Sequence, residues 1–92
     1  MKKKIAILGS TGSIGKTLIE IIDKNKKDFE IKLLTANKNY KTLLKQTKKF
    51  DVKNIIITDK KTYEIVKKKY KKKNIKVYNN FDKLNIILKK KN

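Results

Sequence analysis

Between Ile7 and Thr17 the chain reads ILGSTGSIGKT, a short apolar run followed by three glycines, four hydroxyl side chains and a lysine. Residues of these types at this spacing suit phosphate binding. Glycine lets the main chain approach an anion closely, and the free N–H groups of a helix start point at it. Read through Gly9, Gly12 and Gly15, the stretch is the turn of a dinucleotide-binding unit. Read through Gly15-Lys16-Thr17, it ends like a triphosphate P-loop, but G-x-x-x-x-G-K-[ST] needs glycine where Ser10 stands. Ser10, Thr11 and Ser13 would add hydroxyl donors or helix caps. A capped glycine turn that holds no ligand is the plain structural alternative.

The end of the second strand separates the readings further. A unit selecting NAD carries Asp or Glu about 20 residues after the glycines, to bind the ribose 2′-hydroxyl. Here the residues are Thr35-Ala36-Asn37-Lys38-Asn39, with no carboxylate. Lys38, beside amide donors on Asn37 and Asn39, suits a 2′-phosphate, so NADP is preferred. The candidate cofactor-binding residues are therefore Gly9, Ser10, Thr11, Gly12, Ser13, Ile14 and Gly15 in the first turn, with Ala36, Asn37, Lys38 and Asn39 in the second. Ile55-Ile56-Ile57-Thr58-Asp59 imitates the apolar strand and magnesium-binding Asp of P-loop proteins, yet an acid after a buried strand is also a common cap. No carboxylates are spaced as a divalent-metal site, and Asp59 and Asp82 read as caps. No catalytic or metal-binding residue is expected within this chain.

Hydrophobic periodicity supplies the elements that would position these turns. Strands are expected at Ile5–Leu8, about Glu30–Thr35, Asn54–Thr58 and Ile75–Tyr78. Helices are expected to carry Ile14, Leu18, Ile21 and Ile22 on a sheet-facing stripe, then Tyr40, Leu43 and Leu44 up to about Phe50, then Tyr63, Val66 and Tyr70. Asn80 is placed to cap a last helix holding Phe81, Leu84, Ile87 and Leu88. The pattern βαβαβαβα implies a parallel sheet with right-handed crossovers, an α/β, Rossmann-like doubly wound unit, incomplete at its carboxyl end. Its unpaired sheet edge predicts marginal stability or association in isolation.

The chain has 92 residues, room for one small domain, 1–92, or part of a larger one. Cysteine and histidine are both absent, which excludes disulfides, thiolate metal sites and histidine acid–base chemistry. Apolar runs reach only four residues, too short to cross a bilayer or to form a signal core; no transit peptide is apparent. A cytoplasmic protein is expected, or an organelle stroma if the host bears plastids. The net charge of +19 invites a polyanion-binding reading, but every basic residue is lysine, and neither arginine nor interleaved aromatics form a patterned cluster. The runs Lys67–Lys69, Lys71–Lys73 and Lys89–Lys91 read as solvated faces and a frayed end, with salt-sensitive, non-specific polyanion binding as the consequence of charge. A P-loop-like NTPase or kinase and a basic binding module stand as the alternatives.

The GSTGSIG turn after Ile7-Leu8, with Glu20, Asn25, Phe29, Ala36-Asn37-Lys38-Asn39, Gln46, Phe50 and Asp59, resembles the amino-terminal domain of the 1-deoxy-D-xylulose 5-phosphate reductoisomerases. The resemblance runs through essentially the whole chain. It implies an NADPH-dependent enzyme that rearranges and reduces 1-deoxy-D-xylulose 5-phosphate to 2-C-methyl-D-erythritol 4-phosphate, with Mg or Mn, in non-mevalonate isoprenoid biosynthesis. By position, Thr11, Gly12, Ser13 and Ile14 would hold the pyrophosphate side of NADPH, and Lys38 and Asn39 the 2′-phosphate side. Asn37 stands where the family usually has glycine, a residue at ease with positive φ whose side chain would crowd the adenosine. The resemblance further implies a small-molecule substrate, a homodimer at full length, and metal, substrate-phosphate and lid residues beyond Asn92. Turnover by residues 1–92 alone is not expected; neither a membrane nor a specific nucleic acid is expected as partner.

Overall fold

The computed structural model describes residues 2–70 and 74–89. The elements alternate as expected: β1 (Lys3–Ile7), α1 (Ser13–Lys24), β2 (Phe29–Ala36), α2 (Tyr40–Lys49), β3 (Asn54–Ile57), α3 (Lys60–Lys69), β4 (Lys76–Tyr78) and α4 (Leu84–Lys89). All strand pairs are parallel, in the order β1-β2-β3-β4. Four parallel strands alternating with helices make a Rossmann-like α/β sheet.

Two cores follow from the alternation of side chains along the strands. Ile7, Leu34, Ala36, Ile55 and Ile57 face Ile19, Ile22, Leu43, Leu44 and Val66 of the first three helices. Leu33 and Ile56 face the other way, onto Ile87 of α4. Ile31 and Leu33 would share a face in a regular strand. A register shift opposite Ile5 and Ala6 sends them to opposite cores.

The boundaries differ from the expected ones at three informative places. Leu8 lies beyond β1 and is exposed, because the chain turns at Gly9. Asn80 does not cap α4; its side chain accepts from Asp82 N at 3.0 Å in a turn ahead of the helix, leaving Phe81 exposed outside it. Within α4, Ile87 is buried while Leu88 is exposed.

The stripe on α1 is also rotated. Gly15, Ile19 and Ile22 face the sheet, whereas Ile14, Leu18 and Ile21 are 80%, 43% and 51% exposed. Gly15 is the reason. A Cβ there would strike the Gly9 carbonyl and lie 2.6 Å from Ser10 Cα, so the helix rests its glycine directly on the loop main chain. That contact fixes the rotation of α1, which keeps Ile22 on the sheet as expected but turns Ile14, Leu18 and Ile21 away from it.

Of the lysine runs, Lys67–Lys69 and Lys89 are exposed; 71–73 and 90–91 lie outside the described residues. Among the described residues no helix is long and apolar enough to cross a membrane. The outer edge of β1 pairs with no strand among them.

Candidate phosphate-binding turns at the carboxyl end of the sheet

The first turn is tight. Gly9 takes φ +69°, which a residue with a Cβ adopts only with strain, and its carbonyl accepts from Gly12 N at 3.1 Å. Behind the turn, Gly9 N donates to Thr35 Oγ1 at 2.8 Å and Ser10 N to Thr35 O at 2.9 Å. The loop is thereby sewn to the last residues of β2.

Helix α1 begins immediately after, with Gly12 as its N-cap and no side-chain cap. Its first N–H groups, at Ser13, Ile14 and Gly15, have no intrahelical acceptor. Ser13 and Ile14 are exposed, whereas Gly15 is buried against the main chain of Gly9 and Ser10. Thr11 is half-buried. Ser10 is fully buried; its hydroxyl donates to Gln46 Oε1 at 2.7 Å, so it points away from the turn's open side. Gly15 and Ala36 are buried as well, supporting the turns from behind.

The second turn uses its polar groups internally. Asn39 caps α2, its Oδ1 accepting from Thr42 N at 3.3 Å. Asn37 donates through Nδ2 to Thr58 Oγ1 at 2.9 Å, joining the ends of β2 and β3. Asn37 is not in the left-handed region, which among described non-glycine residues only Asp51 occupies. The turn therefore needs no positive φ here, and the side chain reaches sideways along the sheet end. Lys38 is exposed.

Asp59 caps α3 through Thr62 N at 3.1 Å and Thr62 Oγ1 at 2.7 Å. The Thr62 hydroxyl, then its N–H, holds the Asp59 carboxyl below the usual carboxylate range, with the charge of nearby Lys38 adding to the effect. The magnesium reading of Asp59 gains nothing from this geometry. Lys16 is exposed on the helix, and Thr17 donates its hydroxyl to Ser13 O at 3.1 Å. The P-loop register thus finds neither its first glycine nor a free hydroxyl. Among the described residues no group of three or more His, Cys, Asp or Glu comes together.

The spacing of the glycines and of Lys38 does not point to Thr35 and Gln46, which hold the first turn from behind. Gln46 carried a signal: it falls on the buried face of α2 with Leu43 and Thr47, where an amide needs partners.

Residues 5–92 match the family described as 1-deoxy-D-xylulose 5-phosphate reductoisomerase. The chain belongs to this family. It is 56% identical to the 1-deoxy-D-xylulose 5-phosphate reductoisomerase of Pelagibacter ubique over 98% of its length, and 40% identical to that of Porphyromonas gingivalis over 85%. It spans 23% and 20% of those reductoisomerases. The Zymomonas mobilis reductoisomerase in complex with NADPH superposes with TM-score 0.81 at 28% identity, over 95% of this chain and 23% of that one. A reductoisomerase in complex with magnesium superposes with TM-score 0.72 at 26% identity, over 85% of this chain and 19% of that one. The reductoisomerase fold thus accounts for the alternating strands and helices and for the glycine turn at the carboxyl end of the sheet.

Proposed function

We propose that residues 1–92 form part of an NADP-binding domain and bind NADPH for an enzyme that converts 1-deoxy-D-xylulose 5-phosphate to 2-C-methyl-D-erythritol 4-phosphate in non-mevalonate isoprenoid biosynthesis. One observation carries the reading: α1 starts without a side-chain cap beside a glycine turn held from behind, in a chain of this family. The pyrophosphate takes the free N–H groups of Ser13 and Ile14, where the helix dipole favours negative charge. Ile14, 80% exposed, offers the cofactor an apolar surface next to those donors. Lys38 takes the adenosine 2′-phosphate, while Asn39 and Asn37 hold the second turn in shape. When bound, NADPH supplies the hydride of the reduction. Carboxylates for Mg or Mn, the substrate site and any homodimer contact belong, in this reading, to the remainder of the enzyme, which works in the cytoplasm.

Fluorescence titration with NADPH and NADH, and a parallel titration with ATP and magnesium, test the reading. Saturable binding with NADPH preferred is expected, and Lys38→Ala should erase most of that preference, about tenfold. Tighter binding of ATP with magnesium than of NADPH would overturn it.

A further inference from the structure

The contact behind the glycine turn has no part in binding as so far described. Gln46 is 8% exposed on the core face of α2. Its amide spends both ends on one residue: Oε1 accepts from Ser10 Oγ at 2.7 Å, and Nε2 donates to Ser10 O at 3.0 Å. Ser10 is itself fully buried, and its N–H is taken by Thr35 O. Every hydrogen-bonding group of Ser10 is therefore engaged, from two different elements. An apolar side chain of similar size would fill the same space on α2 without needing partners. What the amide adds is a fixed position for the main chain of Ser10, between Gly9 and the exposed donors of the turn.

The same helix carries the other phosphate turn. Asn39 caps the first residues of α2, next to Lys38, and Gln46 lies about 10 Å further along the axis. A single rigid helix thus spans the two turns, holding one by its cap and the other by Gln46.

We propose that Gln46 is the positioning residue of the pyrophosphate turn, fixing its N–H groups through Ser10 before the ligand arrives. This deepens, and for its ligand rests on, the dinucleotide reading. Gln46 touches no ligand. Its contribution is the ordering of the turn, which the ligand would otherwise have to bring about on binding.

Two ligands separate positioning from general damage. NADP+ uses both turns, whereas adenosine 2′-monophosphate carries no pyrophosphate and uses only the second. Gln46→Leu is expected to weaken NADP+ about tenfold and to leave adenosine 2′-monophosphate within about twofold. In the ligand-free chain, amide exchange of Gly9, Ser10, Thr11 and Gly12 should speed up while that of β3 stays unchanged. Equal weakening of both ligands, or unchanged exchange in the turn, overturns the proposal. If the unsubstituted chain binds no NADP+, the dinucleotide reading fails, and the ligand-free exchange comparison still decides the role of Gln46. If Gln46→Leu does not fold, Gln46→Glu serves. Its carboxylate accepts from the Ser10 hydroxyl but cannot donate to Ser10 O; protonation restores the donor. Turn exchange, corrected for the unsubstituted chain at each pH, should then slow between about pH 7 and about pH 5. A pH-independent ratio overturns the proposal.

Discussion

The two strand-to-helix turns at the carboxyl end of the sheet are built in opposite ways. The turn into α2 caps its own helix with Asn39 and ties Asn37 to Thr58, so Thr42 N and both asparagine side chains are spent inside the protein. The turn into α1 leaves its helix uncapped and is held from behind by Thr35 and Gln46. A helix start capped by its own side chain keeps fewer main-chain donors for a ligand. One supported from the rear can offer its main chain, at the cost of needing that support. In the proposed reading, main-chain recognition of phosphate falls to the first turn and a single cation, Lys38, to the second.

The largest expected effect strikes the first turn. Gly15→Ala places a Cβ against the Gly9 carbonyl and the Ser10 main chain, which cannot move aside as a side chain could. A loss of about 3 kcal/mol in denaturant unfolding is expected, with NADPH binding abolished. A stable variant that binds NADPH normally would break the comparison. Gly9→Ala meets open space but must hold φ +69°, so about 1–2 kcal/mol should be lost and NADPH affinity should fall with it.

The second turn should respond differently. Asn39→Ala removes the cap of α2 and should cost about 1 kcal/mol, with Asn39→Asp restoring it. Pyrophosphate recognition should be little affected, read as an unchanged affinity for NADH, which lacks the 2′-phosphate.

Acid produces the smallest and most diffuse effect. Lys49 and then Lys26 hold the Asp23 carboxyl below its ordinary value, as Thr62 does for Asp59. For carboxyls lowered on folding, the stabilisation is present above the unfolded value of about 3.9 and fades as pH falls through the lower folded value. Thermal melts should therefore show Tm falling only below about pH 4, and Asp59→Asn, which keeps a capping side chain, should lessen that fall.

How much of this was legible in the sequence varies with the range of the interaction. Apolar runs ending in glycine or a polar cap located every strand and helix to within a few residues. The glycine turn and Lys38 also announced themselves, since residue type and spacing are local properties. The facing of α1 did not follow from its isoleucines. Ile14, Leu18 and Ile21 make as regular a stripe as Gly15, Ile19 and Ile22, and the choice fell to whichever side could approach the loop without a Cβ. Asn80 failed as a cap for a similar reason: α4 starts where Leu84 and Ile87 can reach the second core.

Chain-local chemistry thus determined a parallel α/β unit with a phosphate-suited first turn and a basic second one. Tertiary structure alone decided which polar groups remain for a ligand. Ser10 carries the same donor and acceptor groups as Ser13, and only the partners brought to it separate their roles. Ser10 is met by Gln46, 36 residues away, and so turns inward. Ser13 meets no such partner and stays at the surface. Hydrogen bonds between residues distant in sequence depend on how α2 lies across the sheet, and that placement is set by the burial of Leu43 and Leu44 rather than by anything near the glycines.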